Sequence, residues 1–141
     1  MVPGAPGFRY RRRVQFAETD LAGIAHFSAF FRFIEEAEHA LWRAAGLTIG
    51  KAEETGGWPR VSAAFEFKSP LRFEEEFDVG VEIASVTRRS IQYRFTVTRG
   101  DTLIGTGTMT AVCARRQDGV IQSVDIPTDI VARLRAAAGG A

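Results

Sequence analysis

The stretch from Glu18 to Phe31 gathers residue types that can act on a carbonyl carbon. Asp20 sits in a turn-like segment running from Glu18 to His26, with Gly23 near its centre. A glycine there lets the backbone approach another group closely, because it has no Cβ. From Phe27 onward the spacing becomes helical. The first turn of a helix presents N–H groups without intrahelical partners, carrying partial positive charge. Such donors stabilise an oxyanion. One short segment therefore supplies a carboxylate and a preorganised donor, two of the parts needed to attack an activated acyl group. The residues alone leave two readings open. An Asp in a turn before a helix is also a natural Asx-turn or cap, and His26 reads equally as a solvent-facing histidine. Glu35, about two turns into the helix, lies between its apolar stripe and its charged side. On its own it reads as a surface glutamate.

Other chemistries are poorly supplied. The 141-residue chain holds one cysteine, Cys113, and two histidines, His26 and His39. That excludes an intrachain disulfide and a multi-cysteine metal site, and leaves little for a histidine-rich zinc centre, so no metal is expected. Eighteen basic residues against 17 acidic ones give a net charge of +1. No global field draws the chain to nucleic acid or to an anionic membrane. All of the basic residues except Lys51 and Lys68 are arginines. Composition bias accounts for most of them, and a fork that suits phosphate oxygens is the functional alternative. No apolar run approaches the ~18 residues of a membrane span. The Pro/Gly-rich start followed by arginines reverses the order of a secretory signal, so a cytoplasmic protein is expected.

The elements that would position Asp20 follow from periodicity. Residues 8–17 alternate, with Phe8, Tyr10, Arg12, Val14 and Phe16 on one side and Arg9, Arg11, Arg13 and Gln15 on the other. This predicts a half-buried strand whose arginine row is a solvated face. A helix of about 20 residues follows from Phe27, with Phe27, Phe30, Phe31, Ile34, Ala37, Leu41, Ala44 and Ala45 on its apolar side and Gly46 as its stop. A short helix from Thr48 to Gly56 comes next. Strands are expected over 61–68, 77–86, 91–98 and 102–115, with turns at 87–90 and at Gly100-Asp101. Asp118-Gly119 is a hairpin signal. Pro127 opens a last helix, before an alanine-rich tail. One domain spans 1–141, with 1–7 and 136–141 as flexible ends. The fold class is α+β, an antiparallel sheet wrapped around one long central helix. A single helix leaves part of such a sheet uncovered, so dimerisation through the sheet is expected.

The run Phe16-Ala-Glu-Thr-Asp20-Leu-Ala-Gly23-Ile-Ala-His26-Phe27-Ser-Ala-Phe-Phe-Arg-Phe-Ile-Glu35 resembles the signature of hotdog-fold acyl-CoA thioesterases. The likeness is to the 4-hydroxybenzoyl-CoA thioesterase group and the related Tol–Pal-associated short-chain thioesterases. It implies thioester hydrolysis, with Asp20 as nucleophile or as general base for water. It further implies that Gly23 is the turn glycine and that the Phe27 backbone N–H polarises the carbonyl. Glu35 takes the acidic position on the long helix, acting across a dimer interface. Arg88 and Arg89, in the hairpin turn, match basic side chains that bind CoA phosphates.

The pattern also departs from the family. His26 stands where relatives carry Tyr or Trp, which makes it a candidate donor to the substrate. Phe27 stands where one branch carries His, and Ala29 replaces an asparagine. The resemblance implies an acyl-CoA substrate, no cofactor beyond the CoA of the substrate itself, and a homodimer assembled into a homotetramer. Two alternatives stay open: a hotdog acyl-thioester dehydratase or hydratase, and a non-catalytic acyl-thioester-binding module.

Overall fold

The computed structural model describes residues 7–49 and 57–139. Its elements are β1 (Phe8–Arg13), a 3-10 turn (Phe16–Glu18), α1 (Ala29–Ala44), β2 (Arg60–Phe67), β3 (Glu76–Val86), β4 (Ser90–Arg99), β5 (Thr102–Val112), β6 (Ala114–Gln117), β7 (Val120–Ser123) and α2 (Thr128–Ala137). Five strands form one antiparallel sheet in the order β1-β3-β4-β5-β2, and β6 pairs with β7 as a separate hairpin. Of the short helix expected from Thr48 to Gly56, residues 50–56 lie outside those described.

Period-two alternation decides which sheet face is covered. In β4, Ile91, Tyr93, Phe95 and Val97 are buried, and in β3 so are Phe77, Val79 and Val81. The core-facing stripe of α1 is Phe30, Phe33, Ile34, Ala37, Leu41 and Trp42, all buried against that face. The Phe33 and Phe77 rings lie 4.8 Å apart. Each such side chain contributes about 1.5–3 kcal/mol when fully buried, so α1 is held by packing rather than by helix propensity. At the sheet's far side, Phe65 of β2 lies over Gly105 and Gly107 of β5. A Cβ on Gly105 would meet the Phe65 ring at 2.4 Å, so the aromatic wall needs bare backbone beneath it.

The expected sheet wrapped over one long helix is therefore present, with local corrections. Helix α1 starts at Ala29 rather than Phe27. A tight turn precedes it, in which Ala29, Phe30 and Phe31 donate to the carbonyls three residues back. Phe27 and Phe31 are consequently exposed, and Phe33 and Trp42 take their place in the core. Strand β5 stops at Val112 instead of reaching Arg115. Cys113 turns the chain, donating its N–H to Arg89 and accepting from Val124. The Asp118-Gly119 hairpin forms as expected, with φ of 52° and 77°, the pattern of a type I′ turn. Of the ends expected to be flexible, residues 1–6, 140 and 141 lie outside the described ones. Ala136 and Ala137 instead finish α2, and Ala138 is buried. The arginine row of β1 is a solvated face: Arg11 pairs with Asp78 at 3.1 Å and Arg13 with Glu76 at 3.5 Å, both directly across the strand pair.

Candidate active site

Between β1 and α1 the chain makes a small, heavily bonded loop. Thr19 bridges Ala25, and Ile24 bridges Arg72. The Asp20 N–H donates to the Ile24 carbonyl at 2.9 Å, and the Gly23 N–H returns to the Asp20 carbonyl at 2.9 Å. Gly23 has φ of +79°, a left-handed conformation that disfavours any side chain. No described atom lies within 4 Å of where its Cβ would be. The turn's handedness by itself requires glycine at this position.

Asp20 is half-buried. Its Oδ1 accepts the Ala22 N–H at 2.9 Å, so the Asx-turn is real, while Oδ2 has no hydrogen-bond partner among the described residues. Asp20 is the shared wall of two clefts. One, of about 430 Å³, is lined by Ile24, Ala25, Phe27, Phe30, Phe67, Lys68, Ser69 and Pro70 besides Asp20. The other, of about 560 Å³, is lined by Phe16, Ala17, Thr19, Leu21, Gly23 and Phe73 besides Asp20. Phe27 lies just ahead of the helix N-cap Ser28. The Ser28 and Ala29 amides are committed to His26, whereas the Phe27 N–H has no acceptor among the described residues. Asp20, with one carboxylate oxygen unpartnered, and Phe27, with its N–H unpartnered, thus line one mainly apolar cleft. In chemical terms such an arrangement can supply a nucleophile or general base and an oxyanion donor.

The other expected site residues are not gathered there. His26 is exposed and turned back on the chain. Its Nδ1 lies 2.8 Å from Ser28 Oγ and accepts the Ser28 N–H at 3.2 Å, and it borders neither cleft. Glu35 is half exposed, pairs with Arg60 at 3.7 Å and also borders neither. Arg88 and Arg89 both reach Asp125, at 3.2 and 3.0 Å, and Arg89 also donates to Ser123 at 3.1 Å. They stand at the Val86 end of β3, whereas the Asp20 loop follows Arg13, which faces Glu76 at the other end. The two ends of that 11-residue strand lie about 33 Å apart at ~3.3 Å per residue.

Sequence reasoning missed what lies beneath the loop. Arg12 forks onto Glu18 with contacts of 2.6 and 2.5 Å and donates from Nε to Glu36 of α1 at 2.6 Å. The available signal was that Arg12 is the one charged residue on the aromatic side of β1. Burial alone would push the Glu18 carboxyl up. Hydrogen bonds from Arg12 and from the Gln15 N–H outweigh it and hold the carboxyl below its ordinary value. Burial likewise opposes charge on Arg12, and its two carboxylate partners overcome it and raise that group. Among the described residues no group of His, Cys, Asp and Glu is placed to hold a metal ion. No described helix is long and apolar enough to cross a membrane.

Residues 14–134 match the thioesterase-like superfamily, and the chain belongs to it. It is 36% identical over 95 residues, 67% of this chain and 74% of the relative, to a curated protein of Aquifex aeolicus (strain VF5) described as a "putative esterase". Among solved structures, a hypothetical protein from Aquifex aeolicus superposes with a TM-score of 0.81 at 29% identity, over 90% of this chain and 98% of that one. The 4-hydroxybenzoyl CoA thioesterase from Pseudomonas sp. strain CBS-3 superposes with a TM-score of 0.81 at 19% identity, over 92% and 99% of the two chains. At that identity the likeness speaks for the fold, which is the hotdog arrangement.

Proposed function

We propose that this protein hydrolyses acyl-CoA thioesters, releasing free acid and CoA. The observation that carries the reading is the pairing of Asp20 Oδ2 with the idle Phe27 N–H along one cleft. In the reaction, the thioester oxygen accepts the Phe27 N–H, which stabilises the charge that develops there. Asp20 then attacks the carbonyl carbon and expels the CoA thiolate, and water resolves the mixed anhydride. Alternatively Asp20 takes a proton from water as that water attacks. A thioester is already activated, so the reading calls for no metal and no cofactor beyond the CoA of the substrate. The walls formed by Ile24, Phe27, Phe30, Phe67 and Pro70 favour an acyl group with an apolar body.

The reading includes assembly. Strand β2 is an edge whose side chains Val61 and Phe67 are 62% and 49% exposed, which favours a second copy continuing the sheet. Because Arg88 and Arg89 stand at the far end of β3 from the Asp20 loop, the reading assigns them to a CoA whose acyl end lies in another protomer. Pairing of such dimers into a tetramer is part of the same reading. His26 borders neither cleft, so no observation favours the histidine-dependent hydratase alternative.

The test is a thiol-trapping assay over a panel of acyl-CoAs, from short aliphatic to aromatic. Release of CoA with turnover is expected for apolar acyl groups. Tight binding of the esters without thiol release from any of them would return the chain to a binding module.

A further inference from the structure

A charged side chain on the core-facing side of a strand is a local inconsistency. Strand β1 presents Phe8, Tyr10 and Arg12 to the helix in turn. Arg12 keeps only 11% of its side chain exposed, and Glu18 3%. Ion pairs at that depth are weak evidence for stability, since apolar residues of similar volume commonly do as well. What such a pair supplies is fixed geometry, and here the geometry it fixes is that of the catalytic loop.

Glu18 sits at the loop's closing point. Its carboxylate is gripped by Arg12 and also accepts the Gln15 N–H at 2.8 Å. Its carbonyl accepts the His26 N–H at 2.7 Å. Glu18 and His26 therefore pinch the loop shut. Asp20 follows the first by two residues, and Phe27 follows the second by one. The distance between the Asp20 carboxylate and the Phe27 N–H is set from this pinch. Arg12 ties the pinch to the body of the fold. Its Nε reaches Glu36 Oε1 at 2.6 Å, its Nη1 reaches the Arg13 carbonyl at 3.2 Å, and its Cζ lies 4.7 Å from the centroid of the Phe33 ring. Tyr10 donates to the same Glu36 oxygen at 3.1 Å.

We propose that Arg12 is a positioning residue of the thioesterase site, locking Glu18 to Glu36 of α1 so that Asp20 and the Phe27 N–H hold one separation. The inference rests on the thioesterase reading above. Arg12 touches no substrate in this scheme, so its loss acts on the chemical step and leaves binding nearly alone. Misplacing a reacting group by about 1 Å costs on the order of 100-fold in rate. Lysine at position 12 keeps the charge but cannot make the two-sided fork.

The experiment compares Arg12→Lys and Glu36→Gln with wild type for kcat, KM, thermal melting and amide hydrogen exchange of residues 19–27. For Arg12→Lys the expected result is kcat lower by roughly 10- to 100-fold with KM within about threefold. Melting should stay close to wild type and exchange in the loop should be faster. Glu36→Gln weakens one arm only, so a smaller loss of kcat, about threefold to tenfold, is expected. It carries the test if Arg12→Lys does not fold. A kcat within twofold of wild type in the folded Arg12→Lys protein, or in Glu36→Gln where that variant carries the test, overturns the proposal. So does a loss that tracks the unfolded fraction. Wild-type enzyme that releases no thiol from any acyl-CoA overturns the thioesterase reading and takes the clamp with it. Wild-type turnover beside an unaffected variant overturns the clamp alone.

Discussion

The two ends of helix α1 each bring carboxylates among aromatic residues, and they differ in what those carboxylates are free to do. At the C-terminal end Glu38 is fully buried, and Arg60 donates to both of its oxygens, one of them at 2.9 Å. The neighbouring Trp42 Nε1 donates to the Tyr93 hydroxyl at 2.9 Å. Burial, and then the charge of Glu38, push that hydroxyl well above its ordinary value. At the N-terminal end Asp20 commits one oxygen to its own turn, and Phe16, Leu21, Phe27 and Phe73 stand exposed around it. The first arrangement is saturated and closed, whereas the second keeps an oxygen and an N–H in reserve beside open clefts. Buried acids are therefore poor guides to chemistry in this fold unless part of their bonding capacity is unspent.

That contrast can be broken most strongly at Phe27. Phe27→Pro deletes the N–H, whereas Phe27→Ala keeps it. A loss of about 100- to 1,000-fold in kcat is expected for proline and less than about tenfold for alanine, read by steady-state thiol release. Equal losses in the two variants would mean that the N–H is not the donor. At the closed end, Glu38→Ala leaves Arg60, among the described residues, with only its longer pairing to Glu35 at 3.7 Å and should cost about 1–3 kcal/mol of stability by urea unfolding. The kcat of the folded fraction should stay within about twofold. Gly23→Ala comes next. A side chain in the left-handed region costs about 1–2 kcal/mol, seen as a lower denaturation midpoint with a modest fall in activity.

The smallest effect is in pH. The Glu18 carboxyl is depressed on folding, so its contribution is complete above its ordinary value of 4.5. That contribution is lost as pH falls through the lower folded value. The unfolding midpoint should be level above about pH 5.5 on this account, and fall below 4.5. Glu18→Gln should flatten that fall.

Much of this could be read from one chain. Alternation gave the strands, and the Asp118-Gly119 pair gave its hairpin. The same stretch that carries Asp20 and Phe27 does bring them to one cleft. The start of α1 was misplaced by two residues because a tight turn with i→i+3 bonds keeps the same apolar spacing as a helix. The left-handed φ of Gly23 could not be told from a close-approach role in the sequence, since both select the same residue. The Arg12 network joins positions 18 and 36 across strand, loop and helix, and pairing at that separation leaves no local pattern. The remoteness of Arg88 and Arg89 from Asp20 emerged only with the register of β1 on β3. A hairpin turn says nothing about which end of the sheet it occupies.

The most direct test of the central claim is CoA release by wild type and by Asp20→Asn on the same acyl-CoA, with folded content matched by circular dichroism. The substitution keeps the size and the Asx-turn acceptor but removes the charge to which the proposed mechanism gives the attack on carbon or the proton taken from water. The account predicts a fall in kcat of at least about 100-fold, with ester binding and thermal melting retained. Turnover by Asp20→Asn within a few-fold of wild type would contradict it.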